Sequence, residues 1–343
     1  MNGILFFYEF AKKQILRLLI ISFSLFLMQG IGFCTENKYI VDELYPGHNN
    51  IRSNRLNIIF IGGEYNSFEE FEKICKDMIA LNGENRYGLM QIKPFSEPGF
   101  DKHFNFWICR KIPKSGKPYK QLTNQIMWEL IKPVNAEAIE DLNRHYRANL
   151  KYDGRNILPV MIANTNPREI PNYNYGGGSF GRGGTFTVWK IGNPWFAYND
   201  MIVTHIHELM HSIPELYDEY GGSGSIYDDP GWKTRKYGKQ FFVPGSSEDP
   251  GKITKERFLK LSETEKLEYV KQNCPWKNYI GKGTGVLKTG IFEGGLGKNQ
   301  NIYRSVQNSI MNYPYNLVPG KTLGFGEYLE NLIREKIIRE FGK

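Results

Sequence analysis

Two histidines separated by three residues constrain the fold of this chain more than any other feature. The pattern His-Glu-Leu-Met-His occupies residues 207–211 and holds two of the six histidines of the chain. Because residues four apart lie on one face of an α-helix, a helix would present both imidazoles to one metal ion. We therefore predict a helix through this pattern, with Asn199 or Asp200 as its N-terminal cap.

The glutamate inside the pattern indicates what such a metal could do. Zinc accepts imidazole nitrogens, and it lowers the pKa of a water that it polarises. Glu208 lies one step round the helix from His207, where its carboxylate can take the proton of that water as the water attacks a carbonyl. The sequence predicts Zn²⁺ as the cofactor, His207 and His211 as ligands and Glu208 as the general base. His205 falls on another face, where we expect it to pack or to support a ligand.

Catalytic zinc needs a third protein ligand, and the residues after His211 offer two acids. A straight helix would carry Asp218 about 10 Å along its axis, too far to share the metal. Pro214 should end or bend the helix, so that the chain can fold back. We favour Asp218 as the third ligand; Glu219 and a more distant glutamate remain open.

The first segment of the chain resembles an export signal. Basic residues precede an apolar run at 18–28 that is too short for a comfortable membrane span. We expect a signal peptide over residues 1–33, an N-terminal extension over 34–54 and a secreted, surface or periplasmic protein. A lipid-modified Cys34 and an uncleaved anchor are the alternatives.

Composition limits the other functions. The chain has 343 residues, 41% of them hydrophobic, so one catalytic domain over 55–343, with two lobes split near 212–220, is expected. The net charge is +8, but the basic residues form no long run in the sequence, which argues against nucleic acid as a partner. The four cysteines lie too far apart for a zinc knuckle or a redox pair, although an exported chain could join two of them.

Apolar periodicity predicts an α/β (α+β) arrangement of strands and helices. Pro159 favours an edge position for the second long strand, because proline donates no ladder hydrogen bond. The predicted elements are a strand at 55–61, a helix capped by Ser67 and running to Leu81, a helix at 134–150, a strand at 156–163, a glycine-rich segment at 175–184, a strand at 185–189, a loop at 220–260 and helices at 262–272 and 325–341.

Residues 207–220 resemble the signature of the IgA-peptidase family of metallopeptidases, which are related to the metzincins. That family shows HExGH followed by a leucine and an Asp-Glu-Tyr at these offsets. The resemblance covers roughly residues 55–340. Two departures are Met210 in place of the family's glycine and Gly63-Glu64 in place of an Asp-Gly. Weaker similarities lie in the strand at 58–65, the strand ending at Asn164 with the glycines at 176–178, and the segments 292–295, 303–304 and 309–313.

The resemblance implies a metzincin-like catalytic domain, with a twisted mixed sheet, an active-site helix and a C-terminal subdomain that contains a Met-turn. Met311 would form an apolar floor beneath the metal. Tyr313, two residues further on, would donate a hydrogen bond to the developing oxyanion, although ordinary packing is an equal interpretation.

Together these features predict a secreted zinc metalloendopeptidase that acts on a protein or peptide substrate. An extended substrate would pair with the backbone near Gly176–Trp189. Membrane contact is expected only if the leader is an anchor or is lipid-modified, and the sequence sets no oligomeric state. The family name suggests immunoglobulin A, but a fold does not fix specificity. The alternative is a catalytically silent surface protein on the same scaffold that recognises host protein or glycan.

Overall fold

The computed structural model describes residues 40–50, 54–63, 65–112, 124–146, 156–164, 176–179, 185–189, 198–312 and 323–342. The chain divides into the units Met1–Ile40 and Val41–Lys343, and everything below concerns the second. The expected signal peptide at 1–33, Cys34 and Tyr313 lie outside the described residues.

A six-stranded mixed sheet forms the first half of the unit. Its order is β1-β3-β2-β4-β6-β5, in which β3, β2, β4 and β6 are parallel and both outer strands are antiparallel to their neighbours. The strands are β1 Val41–Glu43, β2 Leu56–Gly63, β3 Phe104–Cys109, β4 Ile157–Asn164, β5 Gly176–Ser179 and β6 Thr185–Trp189.

Both faces of this sheet are covered, which explains why β2 is apolar throughout rather than alternating. Ile58 and Phe60 belong to the main hydrophobic cluster, whereas Ile59 and Ile61 are equally buried but lie outside it. Successive strand residues point to opposite faces, so two apolar layers sandwich the sheet.

Six α-helices occur among the described residues: α1 Phe68–Ile79, α2 Asn124–Tyr146, α3 Tyr198–Ser212, α4 Lys255–Leu259, α5 Glu263–Asn273 and α6 Glu327–Phe341. Helix α2 contacts β1, β2 and β4, whereas α3 contacts α1, β5 and β6. Ser67 caps α1 by accepting a hydrogen bond from the amide of Glu70, as expected, and Ser262 caps α5 with a complete capping box. The mixed α/β character and these two helix starts are therefore confirmed.

Three expected elements are present but differ in one detail each. Strand β4 lies inside the sheet, not at an edge; its ladder with β6 begins only at Val160, so Pro159 has no partner to lose on that side. Asn199 and Asp200 lie within the first turn of α3 instead of capping it. Helix α2 begins ten residues before Val134 and contains Pro133.

A second, three-stranded antiparallel sheet lies in the later part of the chain, with the order β7-β9-β8. Its strands are β7 Phe241–Phe242, β8 Phe292–Gly295 and β9 Lys298–Arg304. Residues 220–260 are mainly irregular, as expected, but also include β7, α4 and a short 3₁₀ helix at Ile226–Asp228.

Two further sequence expectations concern cysteines and membranes. Cys75, Cys109 and Cys274 are buried free thiols, so none of these three forms a disulfide. In the part of the chain that the structure describes, no helix has the length and apolar character needed to cross a bilayer.

Candidate metal centre

The end of α3 is shaped so that the chain folds back towards its own last turn. The helix stops at Ser212, before Pro214, and Glu215 takes a left-handed φ of 52°. The amide of Leu216 then donates to the carbonyl of Met210 at 2.9 Å, which closes the turn. The expected break at Pro214 is present, and it returns the following residues to the histidine face of the helix.

Three side-chain atoms converge at this fold-back. The Nε2 atoms of His207 and His211 lie 3.2 Å apart. Oδ1 of Asp218 lies 3.1 Å from the first and 3.2 Å from the second. The structure therefore brings together the three residues that the sequence proposes as metal ligands, and their ligand atoms are mutually close enough to hold one ion.

Backbone carbonyls fix the tautomer of both histidines. Nδ1 of His207 lies 2.9 Å from the carbonyl oxygen of Ile310, and Nδ1 of His211 lies 2.7 Å from that of Leu216. A carbonyl only accepts, so each Nδ1 carries the hydrogen and each neutral imidazole directs the lone pair of Nε2 towards the other. This is the orientation that metal-bound histidines ordinarily have.

The donor set fits a divalent cation. At metal–ligand distances of about 2.0–2.1 Å, two ligand atoms lie about 3.3 Å apart in a tetrahedral site and about 3.0 Å apart in an octahedral one. The observed separations of 3.1–3.2 Å lie between these values. Oδ1 of Asp218 is buried and has no hydrogen-bond donor among the described residues, whereas Oδ2 accepts from the hydroxyl of Tyr220 at 2.9 Å. A cation would satisfy this oxygen and both lone pairs.

Protons compete for the same position. Burial disfavours both charged forms, but the contact between Asp218 and the imidazoles outweighs it. The pKa of Asp218 is therefore held below its usual range, and that of His211 is raised. A cluster with these properties binds either a proton or a metal ion, so metal affinity should fall in acid.

Glu208 lies beside the cluster and has the properties of a proton acceptor. Its side chain is only 7% exposed, and burial raises its carboxyl pKa above the usual value against the opposing influence of His207 and His211. Its carboxylate makes no hydrogen bond to any residue that the structure describes. Glu208 is therefore near the cluster, has no competing partner among the described residues, and has a carboxyl pKa shifted upwards.

Glu219, the alternative third ligand, lies elsewhere. Its carboxylate is completely buried and accepts a hydrogen bond from the hydroxyl of Ser309 at 2.5 Å. Of the two adjacent acids, the geometry brings only Asp218 to the imidazoles.

The segment around Met311 supports the centre mainly through its backbone. Met311 is fully buried in the hydrophobic cluster, and the carbonyl of the preceding Ile310 holds His207. His207 and Ile310 are 103 positions apart in the sequence, so no local sequence pattern predicts this contact.

His205 packs and does not support a ligand. Neither ring nitrogen has a hydrogen-bond partner among the described residues, and burial lowers its pKa to about 3. The imidazole is therefore neutral at ordinary pH and fills apolar space.

No protein-family model matches the chain, and no curated protein is similar to it.

Proposed function

We infer that the chain is a zinc-dependent endopeptidase, in which His207, His211 and Asp218 hold the metal and Glu208 is the general base. The observation that carries this proposal is the convergence of two oriented Nε2 lone pairs and one carboxylate oxygen within 3.1–3.2 Å. Three protein ligands, rather than four, are typical of a catalytic zinc site.

The neighbouring glutamate favours hydrolysis over other metal chemistry. Two histidines and one carboxylate also suit iron, and the ligand separations alone fit both ions. Glu208 lies next in sequence to a ligand, and its raised pKa suits a group that must take and release a proton. This is the combination that a hydrolase requires and that an oxidative iron site does not.

The residues would divide the work as follows. A bound zinc ion would supply the Lewis acid that polarises a peptide carbonyl and lowers the pKa of water. Glu208 would take the proton of the attacking water and pass it to the leaving amine. Its burial excludes bulk water, which would otherwise return the pKa of its carboxyl group to the usual value. By resemblance, Tyr313 remains a proposed oxyanion donor.

We propose that an extended substrate binds along the sheet. Strand β5 is the last strand in the sheet order, pairs with β6 on one side and contacts α3, which carries the two histidines. A peptide added along the outer side of β5 would be held by main-chain hydrogen bonds, with little dependence on its sequence. Protein or peptide is therefore the substrate class that we propose, in the secreted or surface compartment.

The decisive experiment compares the purified protein with its Glu208→Gln variant. We expect about one zinc per chain in both by elemental analysis, because Glu208 is not a ligand. Loss of the base should lower the cleavage rate of a peptide library by about 10²–10⁴-fold. The matched control is Glu215→Gln, which should cleave normally. Glu215 is an exposed acid in the loop that carries Asp218, and it pairs with Lys336 of helix α6.

Three outcomes would count against the proposal. Unchanged cleavage by Glu208→Gln would remove the proposed base. Bound iron in place of zinc would contradict the metal assignment. Stoichiometric zinc with no cleavage of any peptide would favour the alternative of a surface binding protein that recognises host protein or glycan.

A further inference from the structure

Glu219, unlike the partly exposed Asp218 before it, keeps its whole carboxylate inside the protein. It is fully buried and follows Asp218 directly in the chain. Ser309 donates to one oxygen of its carboxylate at 2.5 Å, and the side-chain amide of Gln240 lies 3.5 Å from the other. The carboxylate therefore joins segments that are 90 residues apart in sequence.

A backbone hydrogen bond joins the same two segments. The amide of Glu219 donates to the carbonyl of Met311 at 2.8 Å. The amide of Met311 in turn donates to the hydroxyl of Ser309 at 3.0 Å, so this hydroxyl is fixed as a donor to Glu219. We call this ring of three hydrogen bonds the Glu219–Ser309 clasp.

The clasp lies between two of the proposed ligands. On one side, Glu219 is bonded covalently to Asp218. On the other, Ser309 is bonded to Ile310, whose carbonyl accepts from Nδ1 of His207 at 2.9 Å. Movement of either segment would separate Oδ1 of Asp218 from Nε2 of His207, which the structure holds 3.1 Å apart.

A second contact limits movement of the same loop. The side chain of Gln240 accepts from the amide of Tyr217 at 2.7 Å and donates to its carbonyl at 2.8 Å. This pair fixes the backbone one residue before Asp218. With Gln240 on one side and Ser309 on the other, the loop has little freedom to move away from the histidines.

A buried acid at position 219 lowers the stability of the fold, so its presence needs another explanation. Glu219 is completely buried, and burying a carboxylate costs free energy unless hydrogen bonds compensate for the lost water. A well-packed apolar residue often stabilises a core at least as well as a buried polar network does. The acid therefore indicates a need for directional bonds rather than for stability alone.

We propose that Glu219 is a positioning residue, whose clasp with Ser309 holds Asp218 in place to bind the metal beside His207. The proposal extends the zinc site on which the proposed function rests, and it assigns Glu219 no contact with metal or substrate. It predicts that breaking the clasp weakens metal binding by the folded protein.

The test measures zinc affinity of the full chain by competition with a chelator, together with the free energy of unfolding of the zinc-free protein. Hydrogen bonds that orient a metal ligand typically contribute about 10–100-fold to metal affinity. Ser309→Ala should therefore raise the zinc Kd by about that factor. Glu219→Gln keeps an acceptor oxygen but loses the charge that strengthens the bond, and should raise Kd by about tenfold.

Two further variants make the result specific. The double variant should bind zinc about as weakly as the weaker single variant, because both changes remove the same bond. Ser309→Thr keeps the hydroxyl and should restore most of the affinity. Glu215→Gln, an exposed acid of the same loop, should bind zinc as the unmodified protein does.

A merely structural role would give a different pattern. Ser309→Ala and Glu219→Gln would then lower the unfolding free energy of the zinc-free protein and leave the zinc Kd of the folded protein unchanged, which would overturn the proposal. If Ser309→Ala does not fold, Glu219→Gln still decides. Weakened zinc binding in a protein that cleaves no peptide would uphold the clasp and reject only the peptidase.

Discussion

The replacement Asp218→Asn tests the metal centre most directly, because it removes charge while keeping the shape of the side chain. Asp218 is the anionic member of the cluster, and its Oδ1 lies 3.1 and 3.2 Å from the two imidazole nitrogens. A group that touches the metal should matter at least as much as one that only orients a ligand. We therefore expect the zinc Kd to rise by at least about 100-fold, the upper value for such orienting groups.

This change in affinity becomes a change in thermal stability. At free zinc of 100 times the Kd of the unmodified protein, binding stabilises the fold by about 2.7 kcal/mol. At the same concentration of free zinc, which is near the raised Kd of the variant, zinc binding would stabilise the variant by only about 0.4 kcal/mol. For a unit of this size, about 2 °C per kcal/mol gives a zinc-induced rise in Tm of about 5 °C for the unmodified protein and under about 1 °C for Asp218→Asn.

The assay is thermal unfolding in buffered zinc, with the zinc-free Tm of each protein as its own reference. Glu215→Gln removes an acid three residues away that pairs with Lys336 on the surface, and should keep the full rise. An equal zinc-induced rise in Asp218→Asn and in the unmodified protein would refute the assignment of Asp218 as a ligand.

Three further predictions concern groups around the centre. Tyr220→Phe removes the hydrogen bond to Oδ2 of Asp218 and should raise the zinc Kd by about tenfold, measured by chelator competition. His205 has a folded pKa lowered from 6.5 to about 3, so the unfolded chain binds the proton first and stability falls as the pH drops from 6.5 towards 3. We therefore expect the unfolding free energy, measured in urea without zinc, to fall between pH 7 and pH 5 by about 2 kcal/mol less in His205→Leu than in the unmodified protein. Equal decreases in the two proteins would contradict the neutral buried imidazole. In Gly62→Ala, the added Cβ would lie 2.8 Å from the ring of Phe71, which should lower the unfolding free energy by about 1–3 kcal/mol in the same assay.

The sequence predicts those parts of the fold that depend on neighbouring residues. The capping serines at 67 and 262 bond to amides three residues away, so a short pattern is enough to place them. The apolar run of β2 is likewise readable, because a strand buried on both faces needs no alternation.

Partners distant in sequence are where prediction from the sequence fails. Pro159 favours an edge strand until the register shows that the ladder with β6 begins one residue later. The break at Pro214 is readable, but the choice between Asp218 and Glu219 depends on Ser309, a hydroxyl 90 residues away. A pattern shows that two acids are available and does not show which one has an internal partner.

The two histidines of one helix depend on different parts of the chain for their orientation. Leu216, in the turn that follows the helix, holds His211, whereas Ile310, 103 residues beyond His207, holds the other imidazole. The helix can form locally, but it cannot by itself direct both Nε2 lone pairs to one point. The site is complete only when the later segment has packed against α3, so metal binding reports on the folding of the whole unit rather than on the helix that carries the motif.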